Sequence, residues 1–132
     1  MNKVLVLALL VALTGCEQKQ DIELDTLEAN YGLTTNADKF LFCSEVFNIS
    51  SLKYKSIARD SNNPNDISAS HLSIADRFNK LFKDTPDNEQ LNAASAKLRR
   101  QPVSPSLAIE EVNRMTTDCL MFGETISFTP DA

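Results

Sequence analysis

The chain has 132 residues, with 18 acidic against 13 basic side chains, a net charge of −5 and only three glycines. That length suits one small domain. The acidity excludes a phosphate-binding surface for nucleic acid, which needs clustered Lys and Arg, and so few glycines argue against a turn-rich β sandwich or barrel. Met1-Asn2-Lys3 is a short positive start, and Val4 to Leu13 follow as an unbroken apolar run of ten residues. Ten residues of helix cover about 15 Å, half the hydrocarbon core of a bilayer. The run is therefore a targeting segment and not a membrane span. Lys3 lies in the part to be removed and no acid does, so the mature chain is more acidic still.

The apolar run ends in Leu13-Thr14-Gly15-Cys16. An apolar residue, a small residue, Gly and then Cys resembles the lipobox of bacterial lipoproteins. The resemblance covers residues 1–16 and no more. It implies cleavage after residue 15, lipid on the sulfur of Cys16, and acylation of the new amino group. Two or more acyl chains anchor stably where one does not. The resemblance thus implies a mature protein without a transmembrane helix that is still membrane-bound, in the cell envelope and facing the periplasm. Position 17 is Glu; an Asp there resembles an inner-membrane retention signal in enteric bacteria, so Glu17 leans toward the outer membrane.

Residues 16–34 read as the lipidated N-terminus and a flexible tether. Asp21, Glu23, Asp25 and Glu28 alternate there with Ile22, Leu24 and Leu27, and Gly32 interrupts any element before the domain. The first helix starts at Thr35, where Thr35-x-x-Asp38 is a capping box with the shorter acid. Phe40, Cys43, Phe47, Tyr54 and Ile57 recur on one helical face, and Arg59 suits the C-terminal dipole. Asp60 to Asp66 is a loop by every turn signal. The second helix spans Ser68 to Lys83, with Ile67, His71, Ile74, Phe78 and Leu81 as its stripe. The third takes Thr85 as N-cap and Pro86 as first residue, with Leu91, Ala94 and Leu98 as a thin apolar face before Arg99, Arg100 and Pro102. The fourth repeats that start with Ser104 and Pro105. It carries Ala108, Val112, Met115, Cys119 and Phe122, and stops at Gly123. The expectation is an all-α domain over 35–123, a small antiparallel bundle of about four helices, with a tail over 124–132.

Cys43 and Cys119 remain after Cys16. An even pair in an oxidising compartment points to a disulfide. Cys43 is about two turns into the first helix and Cys119 near the end of the fourth. In an alternating bundle those helices are antiparallel, which brings the two cysteines to one level. A staple between them is therefore allowed.

Chemistry-bearing constellations are sparse. His71, the single histidine, stands at a core-stripe position, where a bond to a neighbour or water is expected. No G-x-S-x-G accompanies it. Without C-x-x-C-H, Met115 and Met121 beside His71 read as gap-fillers and not haem ligands. No Glu-x-x-His motif suggests di-iron, and the cysteine spacing does not suit zinc. Glu110 and Glu111 point about 100° apart on a helix, so they read as dipole complements, with Glu111 and Arg114 an i,i+3 pair. Asp118 reads as solvent-facing, and Lys53, Lys55 and Arg59 as a solvated helix end. No catalytic, metal or cofactor residue is expected. The function so implied is a non-catalytic, lipid-anchored module binding an envelope protein, of immunity, exclusion, inhibitor or assembly-accessory type. The alternatives are a carrier of a small apolar ligand between the helices and, behind it, an enzyme.

Overall fold

The computed structural model describes residues 26–61 and 66–126. Cys16, its lipobox and the tail from 127 lie outside these residues. Among the described residues there are five helices: α1 Thr26–Tyr31, α2 Asn36–Ser61, α3 Ser68–Lys83, α4 Asn88–Arg100 and α5 Ile109–Thr125. The fold is all-α, a small antiparallel bundle stapled by a Cys43–Cys119 disulfide.

The 26 residues of α2 make a rod of about 39 Å. Thr35 and Asp38 start it with a reciprocal capping box. The Asp38 N–H donates to Thr35 Oγ1 at 3.1 Å, and Thr35 N–H donates to Asp38 Oδ2 at 3.4 Å. In its first four turns α2 buries residues around most of its circumference, from Ala37 through Phe42, Val46 and Phe47 to Ser51. A helix apolar on several sides is a central element, and α3, α4 and α5 all pack against α2. The helices therefore surround a spine instead of forming a ring of chain neighbours. The substantial packing of α4 is on α2 alone, because Ala94 is its one fully buried residue and so thin a face covers one partner. Beyond Tyr54 the spine emerges, and Ile57, expected on the core face, is 40% exposed.

Phe47 and Phe78 are fully buried, with ring centroids 6.2 Å apart, and join α2 to α3. Burying each is worth about 1.5–3 kcal/mol. Val112, Met115 and Cys119 of α5 close the other side. The pairings Tyr54 with Asn113, Cys43 with Cys119 and Phe40 with Phe122 run in opposite directions along the two chains, so α2 and α5 are antiparallel.

Four expected boundaries are corrected. The segment read as tether belongs to the fold from residue 26 onward: Leu27 is 1% and Leu33 5% exposed. Gly32, with φ +70°, makes this possible. It ends α1 in the left-handed conformation that costs a glycine little, its N–H donates to the Glu28 carbonyl at 2.9 Å, and the reversed chain sends Leu33 inward. Thr85 does not cap the third expected helix; its hydroxyl donates back to the Leu81 carbonyl of α3. Asp87 is the cap instead, accepting from the N–H groups of Glu89 and Gln90. Ser104 is used in a turn, accepting from Ser106 N–H at 3.1 Å, so α5 starts only after Ala108. Gly123 is buried within α5, and helix continues to Thr125, so it does not terminate the helix.

Candidate functional site

His71 sits between α2 and α3. Its Nδ1 shares a 2.7 Å hydrogen bond with Ser50 Oγ, and the edges of its contacts are aromatic, with Phe47 at 5.1 Å and Tyr54 at 5.6 Å. Burial lowers its pKa from the usual imidazole value, because a half-buried ring loses hydration of its charged form. A serine–histidine pair invites a nucleophilic reading, but Ser50 is 0% exposed. An attacking oxygen must reach a substrate, and this one is sealed in a helix interface.

Two buried carboxylates, Asp38 and Asp118, organise the end of the molecule formed by α1, the α1–α2 turn and the C-terminus of α4. Asp38, 3% exposed in its side chain, receives the Lys97 ammonium at 2.7 Å. Burial alone would push its carboxyl up. The donors from Lys97, Thr34 and Thr35 outweigh that and hold it below the ordinary carboxylate value. Lys97 also donates to the Gly32 carbonyl at 3.1 Å, so one lysine ties α4 both to the start of α2 and to the α1 turn. An ammonium has three donors, and these two bonds leave one.

Asp118 is the second anchor of this end. It is 8% exposed and not solvent-facing as its polarity suggested. Its Oδ2 accepts from the Tyr31 hydroxyl at 2.7 Å and the Asn30 amide at 3.5 Å. Burial and the Asp118 carboxylate together push the Tyr31 hydroxyl above the usual tyrosine range. The Tyr31 ring lies 4.8 Å from Phe42, so α1 is clamped to α5 by its polar tip and to α2 by its face.

Three clefts follow one another across this end. The central one, about 320 Å³, has Leu33, Phe42 and Ala94 beneath and Asn30, Lys97 and Gln101 at its rim. A wider depression of about 580 Å³ shares Asn30 and Tyr31 with it and extends to Leu107, Glu111 and Arg114. A third, about 220 Å³, shares Leu98, Pro102 and Val103 with the central cleft and adds Glu45 and Arg99. The chain between α4 and α5 thus supplies a wall to all three, through Pro102 and Val103 at two clefts and Leu107 at the third.

Of the residues singled out in the sequence, Cys43 and Cys119 are joined, with Cα atoms 5.6 Å apart and both fully buried. Glu111 and Arg114 form their i,i+3 ion pair. Met115 is core and Met121 is 49% exposed. Cys16 lies outside the described residues. Among the described residues no three His, Cys, Asp or Glu side chains gather as a metal site would require, and no helix is long and apolar enough to cross a membrane. Sequence reasoning missed the Asp38–Lys97 and Tyr31–Asp118 connections. Asp118 did carry a signal: it stands three residues after buried Met115, at the edge of the α5 stripe. No known protein family, curated protein or solved structure matches the chain.

Proposed function

We propose that this chain is a lipid-anchored cell-envelope protein, held by Cys16, whose helical domain is a non-catalytic module for binding an envelope protein. The immunity, exclusion, inhibitor and assembly-accessory types all belong to this class. The observation that carries the reading is the row of three open clefts with an apolar floor and a rigidly held polar rim at the α1–α4 end. A partner's side chains fit such clefts, since interfaces combine an apolar centre with a polar rim. The carrier alternative needs space between helices. Here the fully buried disulfide holds the α2 and α5 backbones 5.6 Å apart at that level, and aromatic rings fill the space between α2 and α3. The burial of Ser50 speaks against the nearest catalytic arrangement.

Two experiments test the reading. Labelled palmitate should enter the wild-type protein and be absent from Cys16→Ser, which should persist as unprocessed precursor. A photo-crosslinking residue placed at Gln101 in living cells should give one discrete protein adduct, while the same residue at exposed Leu72, on α3, should give none. Equal labelling at both positions, or normal lipid on the Cys16→Ser protein, overturns it.

A further inference from the structure

We propose that α4 is a strap that lifts off α2 as a separate unit, between fixed points at Thr85 and Val103, while α2, α3 and α5 stay folded, and that Lys97 is the latch that holds it closed. What the strap does for binding rests on the reading above; the strap itself belongs to the free domain.

The burial is uneven. Of its 13 residues α4 fully buries Ala94 alone, against four buried residues in α3 and six in α5. Its Leu91 and Leu98 are only half-buried, and its substantial packing is on α2 alone. Apolar area removed from water is what holds a helix in place, so α4 is held least of the four long helices. Clefts also run along both of its edges. Lys97 lines the central cleft and Arg99 the third, and residues two apart stand about 200° apart around a helix. The clefts therefore flank α4 on opposite sides, one toward α1 and the other toward Glu45 of α2.

One polar tie crosses from α4 to the rest of the domain. Among the described residues Lys97 is the only α4 side chain that hydrogen-bonds to another element. Its ammonium holds both Asp38 Oδ2 at 2.7 Å and the Gly32 carbonyl at 3.1 Å. The segment beyond each end of α4 is anchored independently of it. The Thr85 hydroxyl donates to the Leu81 carbonyl of α3 at 3.1 Å, and Val103 is 8% exposed within the core. The moving unit is therefore bounded, and its loss leaves Phe47, Phe78, Val112 and the disulfide in place.

Opening changes the candidate site. Ala94, Lys97, Leu98 and Arg99 wall the central and third clefts, whereas the wide depression at Leu107, Glu111 and Arg114 has no α4 residue in its lining. Two of the three clefts exist only while the strap is closed, so a partner seated in them binds the closed state and draws the domain toward it.

Native-state hydrogen exchange, read residue by residue on the chain from residue 16 onward with Cys16→Ser, tests the strap without a partner. A lifted helix of 13 residues is marginal in water, so opening frees its amides. They should exchange at least tenfold faster than those in the middles of α2, α3 and α5, with a smaller dependence on added denaturant, because less surface is exposed. Lys97→Met should speed α4 exchange by about tenfold or more, while Lys80→Met, which removes an exposed pair on α3, should leave α4 unchanged. Phe78→Leu, whose ring stacks on Phe47 and Phe122 and not on α4, should speed the slowest amides of α2, α3 and α5 and leave the α4 rates where they are, since the closed and open states lose that contact equally. Reduction of the disulfide makes the same comparison if that variant does not fold. Exchange of α4 at the rate and denaturant dependence of α2, or α4 rates that rise with Phe78→Leu or reduction, shows that α4 opens only with global unfolding and overturns the proposal. Indifference of α4 to Lys97→Met overturns the latch. A discrete adduct at Gln101 in cells alongside either result leaves the binding-module reading standing and removes only the strap.

Discussion

Removing the Cys43–Cys119 bond is the perturbation whose size follows most directly from the fold. The two residues are 76 apart in sequence, and the loop-closure entropy of a crosslink that long is worth about 4.5 kcal/mol at 25 °C. Measured values for native disulfides in small secreted domains run about 2–5 kcal/mol. The paired substitution Cys43→Ala with Cys119→Ala also trims two fully buried sulfurs, which adds to the loss, whereas reduction leaves the sulfur atoms in place. Reduction should therefore cost about 3–4 kcal/mol and the double substitution somewhat more. For a domain of this size each kcal/mol shifts Tm by about 4–8 °C, so reduction should lower Tm by about 12 °C or more. Helicity at low temperature should hardly change, because Phe47, Phe78 and Val112 still bury the faces of α2, α3 and α5. Circular dichroism melts with and without reductant make the measurement. A Tm drop below about 3 °C, or ready alkylation of both thiols in the native oxidised protein, refutes the reasoning and with it the α2–α5 register.

Three further outcomes follow from the polar contacts. Tyr31→Phe removes a hydrogen bond to a buried carboxylate and should destabilise the domain by about 1.5–3 kcal/mol in urea. In the wild type Tyr31 should ionise above the ordinary tyrosine range on alkaline titration. Its raised folded pKa means a contribution fully present below the unfolded value of about 10 and lost as pH rises through the folded one. Asp38→Ala removes a cap and the Lys97 partner together and should cost about 2–3 kcal/mol. Because the folded Asp38 pKa is depressed, wild-type stability from this group is present above the unfolded value of about 4 and lost as pH falls through the folded one, so Asp38→Asn should flatten the acid limb of stability against pH. His71 has a depressed folded pKa and is held neutral, so its contribution is present above the unfolded value of about 6.5 and declines as pH falls through the folded one. His71→Gln should remove that slope below about pH 6.5, and a slope unchanged in denaturation midpoints would show that the imidazole is not its source.

The sequence by itself determined the helical content, the location of α3, the capping box that starts α2, and the disulfide. Each of these rests on information local to the chain. A 3.6-residue apolar period appears in any window of two turns, a cap needs only Thr35 and Asp38, and an even pair of cysteines on two apolar stripes has one way to join. The misplaced helix starts come from choices among competing local partners. Thr85 and Asp87 both suit a cap, and the Thr85 hydroxyl found the Leu81 carbonyl of α3 first. Ser104 had Ser106 within reach of a turn. Tertiary structure alone decided that α2 is a spine, since one-sided periodicity does not say how many neighbours a helix will have. It also decided that α1 belongs to the domain: Leu27, Leu33 and Tyr31 read as polar-segment residues until α2, α4 and α5 provide the cavity, the lysine and the buried aspartate that hold them. The clefts at this end exist only where segments distant in sequence meet, with Asp38 and Lys97 59 residues apart and Tyr31 and Asp118 87 apart. Pairings at such separations leave no period or spacing in the chain, because what brings them together is the burial of the helices that carry them.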